Sequence, residues 1–507
     1  MLENNLEKYL KKYFGYDSFR EGQKEIIESV LQQQHTLAVL PTGSGKSICY
    51  QLPAMILNQL VIVVSPLLSL MTDQVKELKA FGMKDVAAMN SFISYNEKKY
   101  ILNNLSKFRI VFCSPEMLQN SHVIKKLQTI QIGLFVIDEA HCLSQWGYDF
   151  RPDYLRLTEI HRLLNNPPIL ALSATATEEV RTDIINILRL KKYQLFVYPI
   201  DKANISYIVR KTTHPDQKKQ DIVELLKQYP VPTMIYFSSR LETERISSYL
   251  KSELPSLRIA FYHGGLDTTD RIVIQQQFMA NQLDIVCCTS AFGMGINKPD
   301  VRLVIHYHIP SQLESFIQEV GRCGRDGKSS VSVTLFHDSD KRIPYHLIQS
   351  ELPDVTHVRV VLERARRENM LHVSLLEDIF LQTSDNNESQ WRFLRYHLEQ
   401  LHLIEKETIK LNNNNTSDFI NYIEKIISSR RDYKMKKLSE MLDWIDTSDC
   451  RREKLFDPFQ EEIQKLESMC CDQCGFNWDF WKPDKIKTNE YRRTWEQMLA
   501  DKLLQSI

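Results

Sequence analysis

The sequence predicts an α/β fold with two tandem parallel-sheet lobes, followed by a mostly helical C-terminal region that includes a small cysteine-rich module. Two series of five short apolar runs alternate with helical segments, the first between about residues 35 and 190 and the second from about 230. Runs this apolar are typical of strands buried on both faces of a parallel sheet. After about residue 345 the pattern becomes helical. We therefore expect two α/β lobes ahead of a helical region.

The chain, at 507 residues, is too long for one hydrophobic core and is expected to divide into several domains. The pattern predicts five segments, which are lobe 1 (1–200), lobe 2 (201–345), a helical or winged-helix-like insertion (346–429), the cysteine-rich module (430–480) and a C-terminal tail (481–507).

The predicted insertion offers two local patterns. The leucines of "WRFLRYHLEQLHLIEKETIKL" predict a helix that leads into a short strand, as in a winged-helix element, although a simple packing helix fits equally. The run "LNNNNTSD", from Leu411 to Asp418, is interpreted as a polar loop or wing tip.

Composition limits the class of protein. Hydrophobic residues make up 43% and charged residues 25%, as is ordinary for globular proteins in water. No run approaches about 18 apolar residues, and "MLENNLEKYLKKYFGY" lacks the apolar core of a signal peptide. We expect no membrane segment and a cytoplasmic location. Because 64 basic side chains balance 64 acidic ones, any nucleic-acid site must be local.

The cysteines fall into two groups. Six of the ten are scattered beside apolar residues, as reduced core cysteines usually are. The other four, Cys450, Cys470, Cys471 and Cys474, lie together near the end. In a chain without a secretion signal, this clustering favours a bound metal over disulfides.

A phosphate-binding loop is indicated by "LPTGSGKS", which follows a predicted strand and precedes a helix. Such a loop turns backbone N–H groups onto phosphates, while Lys46 reaches the β/γ-phosphates and Ser47 can bind Mg²⁺. The strict pattern has glycine where Leu40 stands, and a flexible surface loop is the alternative. The candidate loop residues are Thr42, Gly43, Ser44, Gly45, Lys46 and Ser47.

Two further strand ends carry polar residues. In "VIDEAH", about 90 residues after the loop, Asp138 would hold Mg²⁺ and Glu139 would orient or deprotonate the attacking water, unless the pair is a solvated turn. In "LSATAT", Ser173 and Thr175 have no chemistry of their own and would couple phosphate state to lobe geometry. The alternative there is a helix N-cap at Thr175 or Thr177.

The second lobe contains "SFIQEVGRCGRDG", which predicts Gln318, Arg322 and Arg325 on one helical face. Arginines so placed could stabilise charge on a γ-phosphate across a cleft between the lobes. A solvated salt-bridge face is the alternative, which the flanking glycines disfavour.

An aromatic-rich stretch, "SQWGYDFRPDY", follows the acidic pair. Trp146 and Phe150 could stack on bases of any identity, with a place in the core as the alternative, and Arg151 could contact phosphate or stack. Tyr154, at the start of a predicted helix, is expected in the core.

In order along the chain, "FGYDSFREGQ", "LPTGSGKSICYQLPA", "VVSPLLSLMTDQV", "VIDEAHCLSQWGYDFRP", "ALSATAT", "TSAFGMGINKPDVR" and "QEVGRCGRDG" resemble the RecQ family of superfamily 2 DNA helicases. The resemblance covers about residues 5 to 340 and implies two RecA-like lobes that bind ATP and Mg²⁺. It also implies that Tyr16 stacks on adenine, with Arg20 and Gln23 contacting the base.

The same resemblance assigns residues to nucleic-acid binding and coupling. Those at strand ends would hold the nucleic-acid backbone, the aromatic-rich loop would couple strand binding to hydrolysis, and the region from Phe292 to Asp300 would contact backbone and nucleotide. The candidates are Ser65, Pro66, Ser114, Pro115, His141, Trp146, Phe150, Arg151, Ser173, Thr175, Phe292 and Lys298.

The function implied is an ATP-dependent 3′ to 5′ DNA helicase that moves on single-stranded DNA and unwinds tailed or forked duplex in repair, recombination or replication-fork maintenance. Single-strand-binding or other repair proteins are expected partners, and a monomer is expected. Two alternatives stay open, an RNA helicase of the same superfamily and an ATP-driven DNA translocase or remodeller without strong unwinding.

The four clustered cysteines resemble the family's structural Zn²⁺ module, with a metal-free thiol cluster as the alternative. Cys470 and Cys471 are adjacent, so one of them could be a bystander. The chain also departs from longer relatives, because about 100 residues precede this module and about 33 follow it, which leaves no room there for a winged helix. It is most similar to the short bacterial RecS-type proteins, and one hypothesis is that the insertion replaces the missing winged helix.

Overall fold

The computed structural model describes residues 6–66, 68–90, 93–144, 152–292, 298–368, 372–384, 387–405, 407–466 and 468–486. Within these ranges no helix combines the length and apolar character needed to cross a bilayer.

Lobe 1 is built on a seven-stranded parallel sheet in the order β3-β4-β2-β5-β6-β1-β7. Its strands are β1 (Thr36–Val39), β2 (Leu60–Val64), β3 (Val86–Met89), β4 (Ile110–Cys113), β5 (Ile132–Ile137), β6 (Ile169–Ser173) and β7 (Gln194–Val197). The apolar runs predicted five of these strands. Strands β3 and β7, which lie at the sheet edges, were missed because β3 contains two alanines among its four residues and β7 exposes most of its side chains.

Nine helices of lobe 1 occur in the described ranges, and apolar cores lie on both faces of the sheet. They are α1 (Leu6–Phe14), α2 (Gln23–Leu31), α3 (Ile48–Leu57), α4 (Leu68–Ala80), α5 (Tyr95–Asn103), α6 (Ser121–Leu127), α7 (Pro152–Leu155), α8 (Leu157–Leu163) and α9 (Glu178–Leu188). Tyr154 in α7 is buried, as expected.

Lobe 2 has a six-stranded parallel sheet in the order β10-β11-β9-β12-β13-β8. Its strands are β8 (Ile205–Lys211), β9 (Thr233–Tyr236), β10 (Ile259–Tyr262), β11 (Ile285–Cys288), β12 (Leu303–His306) and β13 (Ser330–Phe336). The edge strand β8 is the one that the apolar runs missed. The lobe's helices are α10 (Gln217–Gln228), α11 (Arg240–Glu253), α12 (Thr268–Met279) and α13 (Leu313–Val320).

The C-terminal region is mostly helical, which confirms the prediction. Its elements are α14 (Arg342–Glu351), α15 (Val355–Arg367), α16 (Val373–Thr383), α17 (Glu388–Gln400), β14 (Ile404–Glu405), β15 (Thr408–Ile409), α18 (Asn413–Asp446) and α19 (Arg451–Phe456). Strands β14 and β15 pair antiparallel, so the predicted helix followed by a short strand is present. The division into five segments stays a prediction, and α18 continues across residue 429.

The interpretation of "LNNNNTSD" as a loop or wing tip is wrong. Helix α18 begins at Asn413, and the asparagines form its N-terminal cap. The Asn415 N–H donates to the Asn412 side chain at 2.9 Å, and the Asn412 N–H donates to the Asn415 side chain at 2.7 Å. Asparagine side chains that accept backbone N–H groups start a helix, so a polar run of this kind favours a helix start as much as a loop.

Helix α18 belongs to two apolar clusters. Near its start, Phe419 and Ile423 pack with α15–α17, while Met441 and Trp444 near its end join the core that extends over lobe 2. The Trp444 ring lies 4.5 Å from the ring of Phe316 in α13.

The insertion also contacts lobe 1 directly. Arg156, between α7 and α8, forms an ion pair with Glu399 of α17, and its guanidinium lies 5.8 Å from the Tyr396 ring. This contact is close in sequence to the aromatic-rich stretch of lobe 1.

Candidate nucleotide, nucleic-acid and metal sites

A cleft of about 450 Å³ separates the carboxyl ends of the lobe 1 strands from lobe 2. Residues from the predicted adenine, phosphate-loop, acidic and arginine motifs line it. These are Tyr16, Arg20, Gln23, Thr42, Gly43, Gly45, Lys46, Ser47, Asp138, Glu139, Gln318, Arg322 and Arg325. The two lobes touch across it, because the Thr42 hydroxyl donates to the Gly321 carbonyl at 2.9 Å and Gln275 donates to Asp73 at 2.7 Å.

The loop between β1 and α3 has the conformation expected of a phosphate-binding loop. Gly43 and Gly45 have φ angles of 85° and 77°, in the region that favours glycine. Ser47 lies at the N-cap of α3 without using its side chain as a cap, so its hydroxyl is available to a ligand. The loop therefore presents a helix N-terminus to the cleft.

Arg20 and Gln23 hold this loop from the side of the predicted adenine pocket. The Arg20 guanidinium donates to the Gly43 carbonyl at 2.6 Å, and the Gln23 amide donates to the Ser44 carbonyl at 2.8 Å. Tyr16 is half exposed at the cleft. In this arrangement Arg20 and Gln23 contact the loop, and their contact with a base stays a prediction.

Asp138 and Glu139 follow β5 and face Lys46. Glu139 has a φ of 51°, which is uncommon for a residue with a side chain and is typical of functional sites. Burial and the Glu139 carboxylate raise the pKa of Asp138 to about 7. Burial also disfavours the Glu139 carboxylate, but Lys46, His141, Arg322 and Arg325 outweigh that effect and lower the pKa of Glu139. The site is thus built to keep Glu139 ionised.

His141 joins the acidic motif to the end of β6. Its Nδ1 lies 3.1 Å from the Ser173 hydroxyl and 3.5 Å from a Glu139 oxygen. The Ser173 hydroxyl also donates to the Thr175 carbonyl at 3.1 Å. The N-cap alternative holds for Thr177, which caps α9 by accepting from the Val180 N–H, and not for Thr175.

The arginines are not on one helical face, so that expectation is wrong. Helix α13 ends at Val320, and Gly324 has a φ of 57° in the turn that follows. Arg322 and Arg325 nevertheless line the same cleft as Gln318, and burial together with the Arg322 charge lowers the pKa of Arg325 to about 10. The flanking glycines end the helix and form this turn, which we call the arginine turn (residues 321–325).

Ser65, Pro66, Ser114 and Pro115 lie at neighbouring strand ends, as predicted. The Ser65 N–H donates to the Cys113 carbonyl at 3.2 Å, and the Ser114 N–H donates to the Met89 carbonyl at the same distance. All four side chains are buried in this arrangement. Their contact with a nucleic-acid backbone stays a prediction.

Phe292 and Lys298 are inside lobe 2. The Phe292 ring packs on Tyr262, with ring centres 4.6 Å apart, and the Lys298 ammonium forms an ion pair with Asp300 at 2.8 Å. Both are almost fully buried in this arrangement, and their contact with DNA stays a prediction. Trp146, Phe150 and Arg151 lie outside the described residues.

The four clustered cysteines come together. Their sulfur atoms all lie within 4.8 Å of one another, and Cys450 and Cys470 are 3.6 Å apart. Ligands about 2.3 Å from a tetrahedral Zn²⁺ would be separated by roughly 3.8 Å, so the donor set fits that ion. A hydrogen bond from Cys470 lowers the pKa of Cys471 and favours its thiolate. Neither adjacent cysteine is a bystander to the cluster. The six other cysteines are buried, as expected.

Three side chains beside the arginine turn and the cysteine cluster were missed by sequence reasoning. Lys202, Asn204 and Arg452 lie in the segment between the lobes or in α19. The Lys202 ammonium donates to the Gly321 carbonyl at 2.8 Å. No spacing or composition signal marks "DKANI", and only the position between two predicted lobes could have drawn attention to it.

Comparison with known proteins gives matches along most of the chain. Residues 20–183 match the DEAD/DEAH box helicase family, and residues 217–327 match the helicase conserved C-terminal domain. The probable ATP-dependent DNA helicase RecS of Bacillus subtilis is 40% identical over 474 residues, which are 93% of this chain and 92% of that protein. The ATP-dependent DNA helicase RecQ of the same organism is 40% identical over 344 residues, but these are only 57% of its length.

Among solved structures, the DUF1998 helicase MrfA bound to DNA matches with a TM-score of 0.57 and 20% identity, over 66% of this chain and 51% of that one. At this identity the likeness shows the fold alone, and it confirms the two RecA-like lobes. The identity with the RecS-type relative over nearly its full length confirms the family expected from the motifs. The chain therefore belongs to the RecQ-like family of superfamily 2 helicases.

Proposed function

We propose that the chain is an ATP-dependent DNA helicase that moves 3′ to 5′ on single-stranded DNA and unwinds tailed or forked duplex. The observation that carries this proposal is the closed cleft, in which Lys46 and Glu139 of lobe 1 face Arg322 and Arg325 of lobe 2. Hydrolysis that needs groups from both lobes depends on closure, so it can drive a cycle of lobe movement. The printed names of the relatives, ATP-dependent DNA helicases, support DNA as the substrate.

The residues that line the cleft have different roles in ATP hydrolysis. Lys46 binds the β/γ-phosphates, Glu139 orients the attacking water, and the two arginines stabilise charge on the transferring phosphoryl group. The Ser47 hydroxyl and the Asp138 carboxylate are oxygen ligands of the kind Mg²⁺ prefers, and both line the cleft. Bound Mg²⁺ would neutralise phosphate charge there.

Coupling to DNA would run through His141. The short helical turn that carries it, Ala140–Leu143, directly precedes the aromatic-rich stretch, and His141 contacts both Glu139 and Ser173. We propose that Trp146 and Phe150 stack on DNA bases and that Arg151 contacts the backbone. Binding of the strand would then be transmitted through His141 to Glu139.

We also propose that the insertion is a winged-helix-like element that replaces the winged helix of longer relatives. Three helices followed by the β14–β15 hairpin support this, as does a bridge between His372 and Thr408 that adds a third short strand position. The contact between Arg156 and Glu399 places this element beside lobe 1, where duplex would be separated.

The decisive experiment compares strand separation on duplexes with 3′ and 5′ tails, in DNA and in RNA. We expect ATP-dependent unwinding of 3′-tailed and forked DNA and little or none of 5′-tailed DNA or of RNA. Greater activity on RNA would identify an RNA helicase. DNA-stimulated ATP hydrolysis without strand separation would identify a translocase or remodeller.

We propose that the cysteine cluster holds one structural Zn²⁺. Four thiolates leave no open coordination position, so the ion would stabilise the fold and take no part in catalysis. The module is joined to lobe 2, because the Tyr207 N–H of β8 donates to the Cys470 carbonyl at 3.2 Å and the Ser206 hydroxyl of the same strand donates to the Met469 carbonyl. Loss of the ion would therefore loosen an edge of the lobe 2 sheet.

The substitution Cys474→Ser is expected to reduce bound zinc from about one ion per chain to well below one and to lower Tm by at least about 5 °C, because structural zinc contributes folding free energy. Elemental analysis and thermal unfolding measure these effects. Glu453→Gln, an exposed change in α19, is the matched control and should retain zinc. Metal-free wild-type protein with the same Tm would contradict the proposal.

A further inference from the structure

The arginine turn is held by side chains from outside the motif. The Gly321 carbonyl accepts from Lys202 at 2.8 Å and from Thr42 at 2.9 Å. The Gly324 carbonyl accepts from the Asn204 amide at 2.9 Å. Arg322 lies between these two carbonyls and Arg325 directly follows the second, so the donors fix the peptide groups from which both arginines project.

The two glycines make room for these donors. A Cβ added at Gly321 would lie 2.1 Å from the Thr42 hydroxyl, and one added at Gly324 would lie 2.2 Å from the Asn204 amide nitrogen. Neither approach is possible with a side chain at those positions. The lack of a side chain at Gly321 therefore allows close contact with the phosphate loop, and at Gly324 it allows close contact with the segment between the lobes. We call this segment the linker (residues 198–204).

The linker is itself fixed by the cysteine-rich module. Fully buried Arg452 forms an ion pair with Asp201 and donates to the Lys202 carbonyl at 3.1 Å. The Gln460 side-chain oxygen accepts from the N–H groups of Ile200 and Asp201, at 2.8 and 3.2 Å. A continuous set of hydrogen bonds therefore runs from the module through the linker to the arginine turn.

Lys202 does not line the cleft but lies close to its positive charges. Burial, with Arg325, Arg322 and Lys46 nearby, lowers the pKa of Lys202 to about 8. The Lys202 ammonium therefore lies close enough to Arg325, Arg322 and Lys46 for their positive charges to disfavour its own. A hydrogen bond from a charged donor in such a site is stronger than one from a neutral donor.

We propose, resting on the ATPase function above, that Lys202 and Asn204 are positioning residues for ATP hydrolysis, which set the direction of Arg322 and Arg325 through the carbonyls of Gly321 and Gly324. Arg452 and Gln460 place the linker for this task, so the cysteine-rich module reaches the hydrolysis site without touching the nucleotide. The proposal gives a role in the reaction to residues that no catalytic motif contains.

The test uses Lys202→Met, which keeps side-chain length and removes the donor, beside Lys202→Arg and the exposed control Lys191→Met. We expect Lys202→Met to lower the DNA-stimulated kcat about tenfold or more, with the KM for ATP within about twofold. Lys202→Arg should restore most of the rate, and Lys191→Met should match wild type. Asn204→Asp, which removes the other donor at constant shape, tests the second carbonyl and should show the same split.

A second readout separates positioning from general damage to the fold. Affinity for ADP with aluminium fluoride, a mimic of the transferring phosphoryl group, should fall about tenfold in Lys202→Met, while affinity for ADP alone should stay within about twofold. Equal weakening of both ligands, or an unchanged kcat in both Lys202→Met and Asn204→Asp, would overturn the proposal. A wild-type protein without DNA-stimulated hydrolysis would instead overturn the proposed function, so the two failures are distinguishable.

Discussion

Replacing Lys46 by alanine is expected to reduce ATP hydrolysis at least about 10²-fold and to abolish unwinding, because the phosphate loop then lacks the only lysine that its motif directs at the β/γ-phosphates. The ammonium also helps keep Glu139 ionised, so its loss acts on the attacking water as well as on the phosphates. Steady-state hydrolysis with saturating single-stranded DNA measures the effect.

Binding of single-stranded DNA should change less than about twofold in Lys46→Ala, because the predicted DNA contacts are at other strand ends. Lys191→Ala, an exposed lysine of the same lobe, is the matched control and should hydrolyse ATP at the wild-type rate. Strand separation that persists in Lys46→Ala would refute ATP-driven unwinding.

Replacing Arg325 by alanine is expected to lower kcat by roughly 10³-fold, the size of effect seen when an arginine finger is lost. The Arg325 side chain lies against the phosphate loop, since a Cβ added at Gly43 would lie 3.3 Å from its Cγ. In the proposed function the guanidinium would contact the nucleotide only in the closed cleft, so the KM for ATP should change far less than kcat. Single-turnover hydrolysis with bound DNA separates these quantities.

Arg325→Lys should recover little of this rate, since a point charge cannot replace the planar, two-pronged contact of a guanidinium with phosphate oxygens. The exposed Arg245, which pairs with Glu242 at 3.1 Å, provides the control substitution Arg245→Ala. If the kcat of Arg325→Ala is within threefold of the kcat of that control, Arg325 is not a catalytic residue.

The buried strands were predictable because each is apolar on both faces, a pattern that local composition reveals. Strands β3, β7 and β8 were not predicted, although β10, which is also an edge strand, was. Two of the four residues of β3 are alanines, β7 exposes most of its side chains, and β8 alternates apolar residues with serine, tyrosine and arginine, so none of the three forms a continuous aliphatic run. The asparagine run shows the limit of composition most clearly. The same residues suit a loop or a helix cap, and only the 34-residue helix that follows decides between them.

The ATP site was predictable as a set of residues but not as a geometry. Motif spacing identified Lys46, Asp138, Glu139 and the two arginines, and the structure brings them to one cleft. The spacing of the motif could not show that α13 ends at Val320. A helical repeat can be extended through Gly321 and Gly324 in the sequence, although the helix stops before both of them. Lys202 and Asn204 act through distant carbonyls, a relation that no one-dimensional pattern contains.

Helix α18 has a consequence for how the molecule can open. Its start is packed in the insertion and its end contacts α13, so this one continuous helix connects the insertion to lobe 2. The insertion also contacts lobe 1, because Arg156 of lobe 1 forms an ion pair with Glu399 of α17 in this closed arrangement. If the cleft opens by moving lobe 2 and the insertion together, we expect the Arg156–Glu399 ion pair to break on opening and to form again on closure.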